Sequence, residues 1–309
     1  MLSRIAESLY WIGRYIERAE DTARILDVQF HRLLEDPWID EDAACRALVM
    51  VMGAEDEPCE VLDALGVCEL LAYDRSNPSS IVGALAAARD NARGAREAIS
   101  SEMWECLNGT WYALDDQVEA AHNLGPHGFF RYVKERVAIL AGLVDSTLSR
   151  DDGWRFLVLG RSLERVDMTA RLLSARWGDA AGSPGWVTTL RCCSAHEAYL
   201  RTYRRAVDAS LVAEFLLLDR LFPRSVFHAL STAEACLSEL DPLTGRAGMD
   251  DEARRIVGRA RTDLEFRRAN ELLRDLPTHL AKVQVACAEA AGALGHRYFH
   301  QTAPIEWTA

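Results

Sequence analysis

A stretch at residues 13–26 recurs at residues 160–173, and this repeat constrains the fold more than any other feature of the sequence. The two copies read GRYIERAEDTARIL and GRSLERVDMTARLL, at an offset of 160 − 13 = 147 residues. Eight positions are identical, and three more exchange Ile for Leu or Glu for Asp. Self-similarity at a fixed spacing indicates two copies of one structural unit.

The apolar residues in and before the first copy step by four and three, which is the pattern of one helix face. They are Ile5, Leu9, Ile12, Ile16, Ala19, Ala23 and Leu26. We predict a helix over residues 3–35 with Ser3 as its N-cap, and an equivalent helix over residues 154–177. Glycine costs roughly 1 kcal/mol relative to Ala inside a helix. Because Gly13 recurs as Gly160, we expect the two helices to approach closely at these positions.

The charged residues of the first copy lie on the other helix face, where side chains three and four apart are neighbours. The expected pairs within the helix are Arg14–Glu17, Glu17–Asp21 and Glu20–Arg24. One interpretation is a solvated face, on which such pairs contribute only ~0.3–0.5 kcal/mol each. Substitutions on a solvated face change the stability of a protein very little, yet the two copies are most nearly identical at their charged positions. The alternative is a buried network that locks the helices together or holds a carboxylate or phosphate.

A second repeated motif has the pattern E-x-L-x-x-D-R-x-x-P-x-S and occupies residues 69–85 and 214–230. Its offset is 219 − 74 = 145 residues, close to that of the first motif. Sustained period-two alternation, the signature of strands, is missing. The sequence therefore predicts an all-α helical bundle built from two pseudo-symmetric duplicated halves, residues 1–150 and 151–309, in one compact unit. The remaining first-half helices are expected near residues 42–52, 59–73, 78–108, 111–122 and 130–148.

Composition excludes several classes of protein. The net charge of −12 argues against a general nucleic-acid binder, which needs a basic face. Apolar runs stay well short of the ~20 residues of a membrane span, and the start of the chain does not resemble a signal peptide. The eight cysteines form no C-x-x-C motif, which is typical of reduced cysteines. We therefore expect a cytoplasmic protein with no membrane or nucleic-acid partner.

Motifs that would announce a cofactor are missing as well. The sequence contains no P-loop, no G-x-G-x-x-G and no G-x-S-x-G. His296 and His300 have the i,i+4 spacing that suits two metal ligands, but no third ligand lies nearby in the sequence. We therefore predict no metal and no cofactor.

Charged residues on two predicted helices are the candidates for a site. The possible catalytic residues are Glu7, Glu17 and Glu102, and sequence alone does not decide whether the chain is an enzyme. The predicted ligand-binding residues are Arg14, Arg18, Arg89, Asn91, Arg93 and Arg96. We expect one polar cleft in the first half, where Arg89, Arg93 and Arg96 face Glu7 and Glu102. Nearby aromatic residues form either core or a pocket wall; they are Tyr10, Trp11, Trp104, Trp111 and Tyr112.

Three stretches, residues 2–20, 88–108 and 160–173, resemble the bacterial alpha-E domain family, and the resemblance covers nearly the whole chain. It implies an all-helical fold and a bacterial cytoplasmic protein. It also implies association with a circularly permuted ATP-grasp ligase and a transglutaminase-like cysteine peptidase, in systems that make or process amide-linked peptides. The charged positions of the family carry over to Arg4, Glu7, Arg14, Glu17, Arg18, Glu20, Arg24, Arg89, Asn91, Arg93, Arg96, Glu97 and Glu102.

Two functions follow from these observations. In the first, the chain is an accessory component that binds a partner enzyme and a small carboxylate, phosphate or peptide ligand through arginine and glutamate. In the second, the chain is itself a metal-independent enzyme of amide or peptide chemistry that uses these glutamates and arginines.

Overall fold

The computed structural model describes residues 1–53, 62–175 and 183–299, and within these ranges all regular structure is helical, with no strand. The helices are α1 (Ser3–Glu35), α2 (Glu41–Met52), α3 (Ala64–Cys68), α4 (Ile81–Gly94), α5 (Ser101–Leu124), α6 (His127–Thr147), α7 (Asp152–Ser174), α8 (Ser183–Cys192), α9 (His196–Tyr203), α10 (Ala209–Leu218), α11 (Val226–Leu240), α12 (Glu252–Phe266), α13 (Ala269–Arg274) and α14 (Leu276–Tyr298). A π-helical turn at Glu69–Tyr73 continues α3, and a 3₁₀ turn at Arg96–Ala98 follows α4.

Helices α1 and α7 carry the two copies of the repeat and pack against each other at the centre of the bundle. Around α1 lie α4 and α6, and around α7 lie α11 and α14. The outer layer also follows the same order, since α5 bridges α4 and α6 while α12 bridges α11 and α14. All seven positions of the apolar stripe predicted for α1 are buried. Burial of apolar surface between these two helices and their neighbours therefore organises the core.

The predicted close approach occurs at the two repeated glycines. A Cβ atom on Gly13 would overlap the backbone carbonyl oxygen of Leu157, and one on Gly160 would overlap that of Tyr10. The contacts are reciprocal, because Tyr10 and Leu157 each lie three residues before a glycine. Only glycine lets the two backbones come this close, which explains why both copies accept its cost to helix stability.

The second repeated motif forms a turn followed by a helix cap in both halves. Ser80 Oγ accepts a hydrogen bond from the Gly83 amide and donates one to the Asp74 carbonyl. Ser225 Oγ likewise accepts from the His228 amide and donates to the Asp219 carbonyl. These serines are therefore the N-caps of α4 and α11, a role for which Ser is strongly preferred.

Some helix boundaries differ from the prediction, at positions where the capping residue determines where a helix begins. Leu2, not Ser3, occupies the N-cap position of α1, without a side-chain cap. The helix predicted over residues 78–108 is two helices, because Ser100 caps a new one by accepting from the Met103 amide. That helix, α5, then runs without the predicted pause to Leu124. Residues 59–61 and 176–177, the outer parts of two predicted helices, lie outside the described ranges.

Candidate functional site

The two Glu-Arg pairs of the repeat exchange partners across the α1–α7 crossing. Arg165 Nε donates to Glu17 Oε1 at 2.5 Å, and Arg18 Nε donates to Glu164 Oε1 at 2.6 Å. Each glutamate of one copy is thus bound by the second arginine of the other copy. Both glutamates are almost fully buried. Such charge-assisted pairs between helices fix their register as well as their separation.

The charged face of α1 is therefore a buried network and not a solvated surface. The prediction of an Arg14–Glu17 pair within the helix is wrong, since Arg14 binds Glu164, and Glu17 binds Arg165 and Arg224. Glu17 and Asp21 do not pair directly but share Arg224 Nη1, at 2.7 and 2.5 Å. The Glu20–Arg24 pair is confirmed. Helical spacing gave the right residues, but the tertiary packing selected their partners.

Burial raises the pKa values of the carboxyl groups in this network, and the neighbouring arginines lower them. Burial alone would raise the pKa of Glu17, but the charges of Arg224 and Arg165 hold it at about 2. Burial raises the pKa of Asp21 to about 7, and the charge of Glu17 adds to this effect against those of Arg224 and Arg24. The pKa of Glu164 is lowered against the effect of burial, because Arg14 and Arg18 both bind it. Glu17 and Glu164 are therefore structural anions at neutral pH.

Two arginines, Arg14 and Arg18, share the single carboxylate of Glu164, which leaves an excess positive charge beside α7. The guanidinium of Arg14 is fixed on two sides, because Nε binds Glu164 and Nη1 donates to the hydroxyl of Tyr10 at 3.0 Å. Its other amino nitrogen, Nη2, makes no hydrogen bond with any described residue. Arg14 is therefore a pre-oriented cation with free donors.

Arg14 lines a cavity of about 850 Å³ between α1, α2, α7 and α14. Its apolar wall comes mainly from Trp11, Met50 and Val51, with alanines of α14. Its polar wall adds Asp167, Arg171, Ser174 and Gln284 to Arg14. An apolar space with a few convergent polar groups is the usual form of a small-molecule site. We call this space the Arg14 cavity.

A second arginine stands at the edge of the Arg14 cavity. Arg171 Nε donates to Asp167 Oδ2 at 2.9 Å, and these two residues correspond by the repeat to Arg24 and Glu20. Gly53 ends α2 in a left-handed conformation, and a Cβ on it would overlap the Arg171 guanidinium. The glycine therefore both permits the turn and leaves room for the arginine.

The other predicted ligand-binding residues lie on α4 and the turn after it, facing α5. Arg89 Nε donates to Asn108 Oδ1 at 3.0 Å, and its guanidinium lies over Trp111 at 5.6 Å. Arg96 stacks over Trp104 at 4.5 Å. Each contact has the geometry of a cation–π interaction, which contributes ~0.5–1 kcal/mol at exposed sites.

Arg93 and Asn91 complete that group. Arg93 is 68% exposed and 3.8 Å from Asp90, and the Asn91 amide donates to the Ala87 carbonyl of its own helix at 2.8 Å. The structure thus brings Arg14 and Arg18 together at Glu164. It places Arg89 and Arg96 against aromatic rings of α5. None of these three arginines, Arg89, Arg93 and Arg96, lines the Arg14 cavity.

The three catalytic candidates have different environments. Glu7 and Glu102 are exposed, and neither forms an ion pair with a described residue. Glu17 is only 1% exposed and binds two arginines. The accessible glutamates therefore lack a partner that would activate them, and the partnered glutamate lacks access.

One group of possible metal ligands, missed from the sequence, joins α1 to α6. Asp27, His31 and His127 place ligating atoms within 4.8 Å of one another. The carboxylate of Asp27 already binds His127 Nδ1 at 2.7 Å and Lys134 Nζ at 2.6 Å. The i,i+4 spacing of Asp27 and His31 was the available signal. Since Lys134 already supplies a positive charge, this geometry is that of a hydrogen-bonded clamp between helices. His300, part of the other pair considered, lies outside the described residues.

Sequence reasoning also missed most of the Arg14 cavity. Trp11 was considered as a possible pocket wall, but Asp167 and Arg171 carry no signal beyond their correspondence to Glu20 and Arg24. Nothing in the sequence marks Gln284 or Cys287 as neighbours of Arg14. Arg224, which binds three carboxylates of α1, stands where the first half has Ser79, and no pattern reveals its partners.

The fold and the crossing define an all-helical protein whose two central helices are joined by reciprocal Glu-Arg pairs. No helix in the described ranges is both long enough and apolar enough to cross a bilayer. The chain belongs to the Alpha-E family, described as a predicted alpha-helical domain with a conserved ER motif, and the match covers residues 1–299. Each copy of the repeat contributes one Glu-Arg pair of this kind.

The chain is similar to mycobacterial proteins that are described as uncharacterized. Uncharacterized proteins Mb2597 of Mycobacterium bovis and Rv2567 of Mycobacterium tuberculosis are each 24% identical to this chain over 320 residues. The similarity covers 94% of this chain and 36% of each relative, so the chain spans just over a third of the length of the curated relatives it matches. No solved structure matches the chain.

Proposed function

We propose that this chain is an accessory, ligand-binding helical component of an ATP-grasp-linked system of amide or peptide chemistry. Its ligand carries a carboxylate or phosphate and occupies the Arg14 cavity. The observation that carries this proposal is the Arg14 guanidinium, which Glu164 and Tyr10 hold in place, which shares the Glu164 carboxylate with Arg18, and which belongs to a residue lining a cavity of about 850 Å³. A fixed guanidinium loses little freedom on binding and suits planar oxyanions.

The cavity wall indicates what the rest of the ligand looks like. The Trp11 ring, whose centroid is 5.8 Å from the Arg14 guanidinium carbon, and Met50 line the cavity and favour an apolar ligand body. Gln284 and Ser174 offer hydrogen bonds to an amide. The carboxylate end of a short peptide, or an acylated amino acid, combines these three chemistries. A phosphate monoester with an apolar body is the other ligand that the charge admits.

The partner follows from the family resemblance, and the relatives are compatible with it. Because the similarity covers only 36% of each mycobacterial relative, a region like this chain is part of a larger polypeptide there. A module that presents a substrate to another catalytic unit fits that arrangement. We propose the circularly permuted ATP-grasp ligase as the partner and a transglutaminase-like peptidase as a further component.

We also propose that the fold arose by internal duplication. Three observations support this: the reciprocal glycine contacts, the exchanged Glu-Arg pairs, and the caps that Ser80 and Ser225 form in the same way. Two halves of unrelated origin would not be expected to surround α1 and α7 with helices in the same order.

Binding is tested by titrating the full chain with N-acetylphenylalanine and, separately, with phenyl phosphate in a calorimeter. We expect saturable binding of at least one probe to one site, weakened by salt because the attraction is electrostatic. Arg14→Lys and Arg171→Ala should each reduce the affinity about tenfold, the effect of ~1.4 kcal/mol of lost interaction. Arg131→Ala removes an exposed arginine of α6 and should leave the affinity unchanged. If neither probe binds at millimolar concentration, the proposed ligand site is wrong.

The accessory role is tested by activity. The purified chain alone should turn over neither acyl phosphates nor short peptides, and the ligase of the same system should release phosphate faster when the chain is added. Turnover by the chain alone would instead support the enzyme alternative, for which the positions of Glu7, Glu17 and Glu102 give little support.

A further inference from the structure

A second, much smaller cavity lies on the opposite side of the α1–α7 crossing. It has a volume of about 30 Å³ and is enclosed by α1, α6 and α7. Its polar wall comes from Glu17, Glu20, Arg161 and Arg165. Arg161 forms no ion pair with any described carboxylate, and the pKa of its guanidinium is lowered by burial and by the neighbouring Arg165.

The walls of the two cavities correspond at the offset of the repeat. Arg161 takes the place of Arg14, and Glu20 takes the place of Asp167, both at 147 residues. The outer helices, which were not part of the recognised motif, follow the same rule, since 287 − 140 = 147. The small cavity is lined by Val137, Leu140, Ala141 and Val144 of α6, and the Arg14 cavity by Gln284, Cys287, Ala288 and Ala291 of α14. All four positions match one to one.

Two of the four matched positions carry smaller side chains on α14 than on α6, while Ala141 and Ala288 are identical and Gln284 replaces Val137 with a longer, polar side chain. Leu140 on α6 corresponds to Cys287 on α14, and Val144 corresponds to Ala291. Leu140 and Val144 are buried and fill the space beside Arg161. On the α14 side, the thiol and the methyl group leave that space open beside Arg14. The larger side chains at these two positions therefore line the cavity of about 30 Å³, and the smaller ones line the cavity of about 850 Å³, which α2 also borders.

We propose that the two cavities are equivalent sites of a duplicated scaffold, and that Cys287 and Ala291 are the specificity-determining residues that keep only the Arg14 cavity open to an apolar ligand body. This inference rests on the proposed function, because it names the positions that select the ligand bound by Arg14. Arg14 binds the anionic group of the ligand, whatever the size of the ligand body. The space beside Cys287 and Ala291 decides which bodies can follow it.

The test introduces the side chains that line the small cavity, those of Leu140 and Val144, at the matching positions 287 and 291 of the Arg14 cavity. We compare N-acetylphenylalanine with N-acetylglycine, which share a carboxylate and an amide but differ in a benzyl group, by calorimetry on the full chain. The wild type should bind N-acetylphenylalanine at least tenfold more tightly. The Cys287→Leu/Ala291→Val variant should lose that preference while N-acetylglycine binding changes less than about threefold. Ala281→Val makes the same change on an exposed position of α14 and should keep the preference.

The outcomes separate this inference from the proposed function. A wild type that binds neither compound, nor phenyl phosphate, overturns both. A wild type that binds without preference, or a folded double variant that keeps the preference, overturns only the role of Cys287 and Ala291. Ala291→Val alone, at a half-buried position, provides the same comparison if the double variant does not fold.

Discussion

Removing the Glu17 carboxylate should destabilise the protein by about 3 kcal/mol. The side chain is 1% exposed and is the only carboxylate in ion-pair distance of Arg165 among the described residues, so Glu17→Ala leaves that guanidinium without a partner. Breaking a buried ion pair from one side costs ~3–5 kcal/mol. We expect the lower end of this range for two reasons. Arg165 is one-fifth exposed, and Arg224 keeps Glu20 and Asp21 as partners.

The measurement is urea denaturation followed by circular dichroism, with the midpoint compared at unchanged slope. Glu135→Ala is the matched control, because it removes a glutamate from an exposed pair with Arg131 on α6 and should cost under ~1 kcal/mol. Replacing both Glu17 and Arg165 by Met should recover most of the loss, since no unpaired charge remains. A loss under ~0.5 kcal/mol for Glu17→Ala, equal to that of Glu135→Ala, would refute the buried-network argument.

Three further predictions follow from the crossing, the network and the α4 surface. Gly160→Ala should destabilise the protein by at least ~1–3 kcal/mol in the same denaturation assay, because the new Cβ overlaps the α1 backbone; Gly142→Ala, in open space on α6, should instead stabilise it by ~0.5–1 kcal/mol. Burial raises the pKa of Asp21 to about 7, so between pH 3.8 and about 7 its carboxyl group keeps a proton in the folded protein that it loses in the unfolded chain. The free energy of unfolding should therefore fall as the pH rises through this range. The Asp21→Asn variant should lack that decline, and parallel pH profiles for variant and wild type would contradict it. Arg93→Ala should leave the thermal transition within a few degrees, since the side chain is exposed, and should leave the affinity for phenyl phosphate unchanged, since Arg93 does not line the Arg14 cavity; a loss of affinity in this variant would place the anion at the arginines of α4 instead.

Much of the architecture was accessible from the sequence because it is encoded locally. The apolar stripe of α1 repeats with helical spacing, and its seven positions are buried as expected. The recurrence of Gly13 as Gly160 predicted the close approach of α1 and α7, since a costly residue is retained where two backbones meet. The helix caps were less predictable. Ser3 was predicted as the N-cap of α1, but Leu2 occupies that position, and Ser100 caps a helix start that was not predicted. A polar residue near a helix start can fall one or two positions from the cap, and the sequence does not distinguish these positions.

Partners across space were not accessible. The sequence identified Arg14, Glu17 and Arg18 as a charged group, but helical spacing favoured contacts within α1, and the structure pairs them with α7 and with Arg224 in the turn before α11 instead. Burial decides this, because a desolvated carboxylate gains most from the guanidinium that reaches it with the best geometry, regardless of separation along the chain.

The sequence by itself determined the helical class, the repeated central helices and the residue types of their charged faces, since each depends on periodicity or identity within a short segment. Only the tertiary structure decided that Glu17 belongs to Arg165 and Arg224, and that Cys287 lies beside Arg14. It also decided that one cavity is open and its counterpart closed. A cavity is the space left between helices that meet only on folding, so its volume depends on side chains that are far apart in the chain and share no local pattern.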